Sequence, residues 1–464
     1  MDFGVRITHG PQSWQILQQS GGTADIPLEG SWRLPDFDSG VPRVFARVVR
    51  EDSGDTVCPW TECRVSDENL WNIVLTGIPA GGLYRVETCI HADEPIAMEW
   101  GYRGDMIHHL GVGDLFVIAG QSNSAGFGKD PAYDPPEIGV HLLRNSGRWD
   151  LASHPLNDST GSIHEANCES FNPGTSPWLS FGRTLKRELG YPIGLLQTAL
   201  GGSPMEEWNP EEKGLLYRNM REVIHSQGGV VRGVLWYQGC EDTHAGRAED
   251  YLPRFAAMVA RLRRDIGLPE LPFFTIQLNH YMRKRSDTDD CCWGLVREAQ
   301  RQAAHVVAHV TVTPSIDCPQ ADAIHNSSVT NITLGQRVAR VALARLYGRR
   351  VVWAAPDIRS AELGGSGKTA VLHFDSVFSR LYDYNVTPAE LDFSFEDAGG
   401  PAAVGAAVFR GNRIEVQLER PLRLPAFVSC AAGQNPRRVV PVDYDTHLPI
   451  LPFYRVPLTG STTE

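Results

Sequence analysis

The chain has 464 residues, more than a single hydrophobic core commonly supports, and its 42% hydrophobic and 21% charged content is that of an ordinary globular protein of two or three domains. A formal net charge of -12 argues against nucleic acid or anionic lipid as a partner, because both are bound through clustered Lys and Arg. Nine cysteines, an odd number without paired metal-type spacings, point to reduced thiols over a disulfide framework.

At the start of the chain, Met1 to Gly10 lacks a basic region followed by an apolar run, and no later stretch is apolar for the thickness of a bilayer. The expectation is a cytoplasmic protein with no membrane partner. Residues 1–110 read as short extended pieces broken by turns, such as Arg43 to Arg50 and Leu83 to Ala92. This predicts a small β-rich domain with Trp14, Trp32, Trp60 and Trp71 in its core.

Residues 111–350 change character, because short apolar runs alternate with amphipathic helices. Leu115 to Ala119, Ile193 to Leu200, Val234 to Tyr237, Phe273 to Leu278 and Val306 to Val312 are expected as buried strands. Between them Ser176 to Leu189 and Glu249 to Ile266 are expected as helices, ending at Gly190 and Gly267 where glycine can take the left-handed cap. The fold class that follows is α/β, a three-layer α/β/α domain with a mainly parallel sheet. From about Val351 strict alternation returns, clearest in Arg413 to Glu419, where Ile414, Val416 and Leu418 face one way. Residues 351–464 are therefore expected to form a second β-rich, sandwich-like domain.

In an open parallel sheet the working groups gather where strands end at their carboxyl edge. The first such end is Gly120-Gln121-Ser122-Asn123-Ser124-Ala125-Gly126, whose small residues permit a sharp turn that exposes a hydroxyl. A serine there can equally cap the next helix. Serine needs a base to take its proton, and Asp322-Ala323-Ile324-His325 places a carboxylate and an imidazole three residues apart before a helix expected over Thr330 to Tyr347. Acyl transfer also needs donors for the oxyanion, and Gly201-Gly202-Ser203 and Gln238 follow two other strands. Each glycine can equally mark a plain tight turn.

Taken in order, Gly120-Gln121-Ser122-Asn123, Gly201-Gly202-Ser203-Pro204 with Trp208, Trp236-Tyr237-Gln238-Gly239 and Asp322-Ala323-Ile324-His325 resemble the sequence blocks of sialate O-acetylesterase-like SGNH hydrolases. The resemblance spans roughly residues 111–348 and extends loosely to Leu448-Pro449-Ile450-Leu451-Pro452-Phe453. It implies Ser122 as nucleophile, His325 as general acid and base, Asp322 as the residue orienting His325, and Gly201 and Gln238 as oxyanion donors beside the Ser122 amide. It implies no metal or cofactor, and an acetylated sugar or oligosaccharide as substrate, from O-acetylated sialic acids to plant polysaccharide units. The sequence departs from the family at Ser124, often methionine, and at Cys240, often a glutamate proposed in some relatives as the acid of the triad. Here Glu241 and Asp242 come one and two residues later, which favours Asp322 and casts Cys240 as a small buried residue. Trp178, Trp208, Asn279 and His280 stand as rim candidates and equally as ordinary packing or capping residues. The alternatives are an SGNH esterase or lipase for other acyl groups, and a non-catalytic carbohydrate-binding protein.

Overall fold

The computed structural model describes residues 3–169, 174–283 and 286–460. Six parallel strands organise its centre: β1 (Tyr102–Gly120), β2 (Val140–Leu143), β3 (Ile193–Gln197), β4 (Gly233–Tyr237), β5 (Phe273–Ile276) and β6 (Val310–Thr313). They lie in the order β2-β3-β1-β4-β5-β6, with Trp149–Leu151 added antiparallel at the β2 edge. Every residue of β3, β4 and β5 is buried, so both faces of the sheet are covered, as a parallel sheet requires. The cover comes from α1 (Pro177–Leu189), α2 (Leu215–Ser226), α3 (Tyr251–Asp265), α4 (Asp287–Val306) and α5 (Ser328–Tyr347).

The helix ends follow their sequence signals. Ser176 caps α1 by accepting from Trp178 N, and Gly190 closes it with φ +79. Ser327 caps α5, which begins two residues before the expected Thr330. At Gly335 the backbone of α5 meets α1 so closely that a Cβ would lie 2.0 Å from Pro177 O, which is why glycine stands mid-helix there.

Two expected strands end early, at Gln197 and Ile276, and the last begins late. Val306 to His309 do not belong to it, because α4 runs to Val306 and only Val310–Thr313 pairs with β5. Apolar β-branched residues read alike at a helix end and in a strand, and here the helix takes the first of them.

β1 is the element that joins regions. Its first part pairs antiparallel with Gly81–Ala92, and from Asp114 onward it pairs parallel with β3 and then β4. The expected junction between residues 110 and 111 therefore falls inside one continuous strand. Amino-terminal to it, antiparallel strands enclose a core that includes Val5, Ile26, Leu28, Val44, Val48, Trp71, Val86 and Ile107. Of the four tryptophans expected in that core only Trp71 is buried; Trp14, Trp32 and Trp60 are half-buried, and Trp60 lies beneath the Arg47 guanidinium at 4.6 Å. Beyond residue 356 an eight-stranded sheet encloses Phe374, Phe393, Phe395, Val428 and Phe453, with Ile414, Val416 and Leu418 all turned inward as their alternation requires. Among the described residues no helix is long and apolar enough to cross a membrane, which says nothing of strands.

Candidate active site

Strand order reverses at β1, which has β3 on one side and β4 on the other, and the carboxyl ends of these three strands carry Ser122, Gly201 and Gln238. Gly120 makes the exit from β1 possible. Its φ is +117, and a Cβ there would lie 2.4 Å from Tyr237 O. The chain then turns into a single helical turn, Ser122–Ala125.

Ser122 Oγ stands 3.0 Å from His325 Nε2, and His325 Nδ1 stands 2.7 Å from Asp322 Oδ2. An ionised carboxylate only accepts, so the proton sits on Nδ1 and Nε2 is left to accept from the serine hydroxyl. Asp322 Oδ1 accepts from the amides of Ile324 and His325, both at 2.8 Å, so one tight turn holds carboxylate and imidazole in register. Burial works against ionisation of Asp322, but the His325 ring and these two amides outweigh it and hold the carboxyl below the usual carboxylate range. The Phe127 ring stacks on the imidazole, centroids 4.6 Å apart, fixing its plane.

Asn123 enters the sequence reading only as part of a block, without a role, and the structure supplies one. Its Oδ1 accepts from Asn326 N at 3.0 Å and its Nδ2 donates to Ile324 O at 3.2 Å, clasping the serine loop to the histidine loop across 203 residues of chain. Gln121 does the same toward β4, its Oε1 accepting from Gly239 N at 2.8 Å.

The oxyanion side departs from expectation at Gln238. Its Nε2 donates to Ser203 O at 3.1 Å and to Asp242 Oδ2 at 2.5 Å, so the amide hydrogens are committed within the fold, and its Oε1 is buried without a partner among the described residues. The reason is Asp242, fully buried and also accepting from Met205 N at 2.9 Å; a buried carboxyl draws the nearest donors to itself. Burial raises the Asp242 carboxyl, with the Gln238 and Met205 hydrogen bonds acting in the other direction. Gly201 N donates to Glu169 Oε1, a residue that no sequence motif singles out.

The remaining sequence candidates divide clearly. Trp178 and Trp208 are fully buried and do not form a rim: their indoles donate to Ser124 Oγ at 2.9 Å and Ser203 Oγ at 3.0 Å. Ser124, the departure from the usual methionine, thus anchors a tryptophan and also donates to Ala119 O at 2.8 Å. Asn279 is buried on Cys318 O and Asn326, and His280 sits 2.7 Å from Ile316 O. Cys240 is buried, and burial pushes its thiol up to about 12, which makes it a poor nucleophile. Glu241 does not take the place at His325; that carboxylate is Asp322. A cavity of about 620 Å³ lined by Arg232, Pro272, His309 and Arg345 opens at the opposite, amino-terminal edge of the sheet, away from these groups.

Residues 112–344 match the family model described as carbohydrate esterase, sialic acid-specific acetylesterase. A probable carbohydrate esterase of Arabidopsis thaliana is 30% identical over 258 residues, covering 50% of this chain and 90% of that protein. Human sialate O-acetylesterase is 23% identical over 291 residues, 54% of each chain. A solved carbohydrate acetylesterase from Xanthomonas citri superposes with a TM-score of 0.66 at 23% identity, over 95% of this chain and 97% of that one, so the fold is shared along nearly the whole length. The chain belongs to the sialic acid-specific acetylesterase family of carbohydrate esterases, and is a carboxylic ester hydrolase of the α/β class.

Proposed function

We propose that this protein removes acetyl groups from O-acetylated sugars through a serine mechanism, with Ser122 as nucleophile, His325 as general base and acid, and Asp322 orienting His325. The observation that carries the reading is the unbroken line from Ser122 Oγ through the imidazole to Asp322, at 3.0 and 2.7 Å, at the sheet's switch point. Ser122 Oγ attacks the acetyl carbonyl carbon while its proton passes to His325 Nε2. The resulting oxyanion is received by the Ser122 amide and by Gly201 N. Collapse expels the sugar oxygen, which takes the proton back from Nε2, and a water activated by the same nitrogen then releases acetate. Gln238 enters as a positioning residue, bracing Ser203 and Asp242 beneath the Gly201 loop, in place of the donor role that the family resemblance implies.

The division into an amino-terminal β-rich unit (1–110), a catalytic unit (111–350) and a carboxyl-terminal β-rich, sandwich-like unit (351–464) is part of the proposal, supported by the three largest hydrophobic clusters, each of which falls mainly in one unit. The substrate is an acetylated mono- or oligosaccharide, with sialic acids and plant-derived sugars both in range.

The test is acetate release from 4-nitrophenyl acetate and a panel of acetylated sugars by the wild type and a folded Ser122→Ala variant. Release by the wild type alone, undiminished by a chelator, is expected and ranks the sugars. Equal release by Ser122→Ala would overturn the serine mechanism, and no release from any acetyl ester would favour a carbohydrate-binding role.

A further inference from the structure

The Gly201 amide, assigned above to the oxyanion, already carries a carboxylate. Glu169 reaches it from the loop between Trp149–Leu151 and α1, with its own carbonyl oxygen accepting from Ser159 Oγ at 3.4 Å and its Oε1 accepting from Gly201 N. The second carboxylate oxygen, Oε2, is buried with no partner among the described residues. This contact lies beside the ring that stacks on His325: a Cβ built on Gly201 would fall 2.6 Å from Glu169 Oε1 and 3.4 Å from Cζ of Phe127. Carboxylate, donor and the wall of the general base therefore share one small volume.

Two negatively charged oxygens cannot both use one N–H group. A tetrahedral oxyanion formed with Glu169 in place would lose its donor and face a like charge. The arrangement is also one that Glu169 can readily give up, since one hydrogen bond is set against a buried oxygen that has no partner among the described residues. Burial pushes the Glu169 carboxyl up, against the pull of the Gly201 amide and the Lys129 charge, which marks the side chain as poorly solvated where it stands.

We propose that the Gly201 amide is a carboxylate seat, held by Glu169 in the free enzyme, yielded to the acetyl carbonyl of the substrate, and open afterwards to product acetate. Glu169 is then an internal competitor. It raises KM and weakens product inhibition while leaving kcat little changed, because it has already swung away in the reacting complex. The inference rests on the serine-esterase reading with Gly201 as a donor.

The experiment uses the full chain with Glu169→Ala and Glu169→Gln, measuring kcat, KM and competitive inhibition by sodium acetate at constant ionic strength with 4-nitrophenyl acetate as substrate. Glu169→Ala is expected to lower both KM and the acetate Ki by about tenfold, the scale of one charge-assisted hydrogen bond, with kcat within about twofold. Glu169→Gln, which keeps an acceptor and loses the charge, should fall between, and it decides alone should the alanine variant fail to fold. Unchanged or raised KM and Ki in these variants would overturn the proposal, as would a collapse of kcat, which would make Glu169 a support of the Gly201 loop. Acetate binding to Ser122→Ala and to Ser122→Ala/Glu169→Ala, read by calorimetry, separates the two readings. Tighter binding to the double variant supports the seat even where the serine mechanism fails, and equal binding overturns the seat even where that mechanism holds.

Discussion

The two halves of the candidate site are built on different terms. On the proton-transfer side, Ser122, His325 and Asp322 are joined by short contacts, and Asn123 clasps the loops that carry them. On the oxyanion side two of the three expected donors are taken, Gly201 by Glu169 and Gln238 by Ser203 and Asp242. In the proposed mechanism the contrast follows from what each half is for. A proton relay is made of side chains that satisfy one another, so it stands complete without substrate. An oxyanion donor is of use only if an incoming atom can have it, and a buried N–H without substrate takes whatever acceptor is in reach.

The largest effect that would break this contrast is at Asp322. Asp322→Asn should lower kcat by about 10² to 10⁴-fold, since an amide can present a donor to Nδ1 and favour the wrong tautomer. Its melting temperature should move little, because the Asp322 side chain is 53% exposed. Undiminished turnover there, together with an inactive Glu241→Gln, would transfer the orienting role to Glu241. Asp242 should behave in the opposite way. Asp242→Asn puts an NH₂ among donors that now find a carboxylate, and urea denaturation should show a loss of about 2 to 4 kcal/mol. Full stability in that variant would mean that the amide of Gln238 can be released cheaply, and would restore it as an oxyanion donor.

A smaller effect, away from both halves, calibrates them. His141 in β2 is fully buried, its Nδ1 lies 2.7 Å from Trp14 O, and burial lowers its pKa to about 4. Between about 6.5 and about 4 the unfolded chain holds a proton that the folded one does not, so stability rises with pH across that window. The contribution is complete above pH 6.5 and is lost as the pH falls toward 4, by up to about 3 kcal/mol. Stability curves of the wild type and His141→Asn should therefore converge toward acid pH; parallel curves would place the acid sensitivity elsewhere. Smallest of all, Cys240→Ser should keep turnover within a few-fold, and thiol reagents should leave the native Cys240 unmodified, because the buried thiol titrates near 12.

How much of this was legible depended on how local the determinant was. Asp322 and His325 are three residues apart and bound by one turn, so spacing made them a candidate pair, and the resemblance of the four blocks to a known family gave that pair its role. Ser122 followed an apolar run and a glycine, and its place at a strand end was readable for the same reason. Trp178 and Trp208 left two readings open, because an aromatic residue near a strand end looks the same whether its indole faces a cleft or, as here, a buried serine. Val306 misled because apolar β-branched residues suit the end of α4 as well as the start of β6. Glu169 had no readable signal, since its carboxylate meets an amide 32 residues further along the chain.

What the sequence by itself determined was the alternation of buried strands and amphipathic helices, the β-rich flanks, and the order of the residues that arrive at the carboxyl edge of the sheet. Those are consequences of periodicity, capping and short-range turn chemistry, which a chain carries residue by residue. Which donor meets which acceptor at that edge was decided only by the tertiary structure. Gln238 turns to Asp242 and Gly201 to Glu169 because buried polar groups must find partners among whatever the folded chain brings within about 3 Å, and no periodicity encodes that proximity.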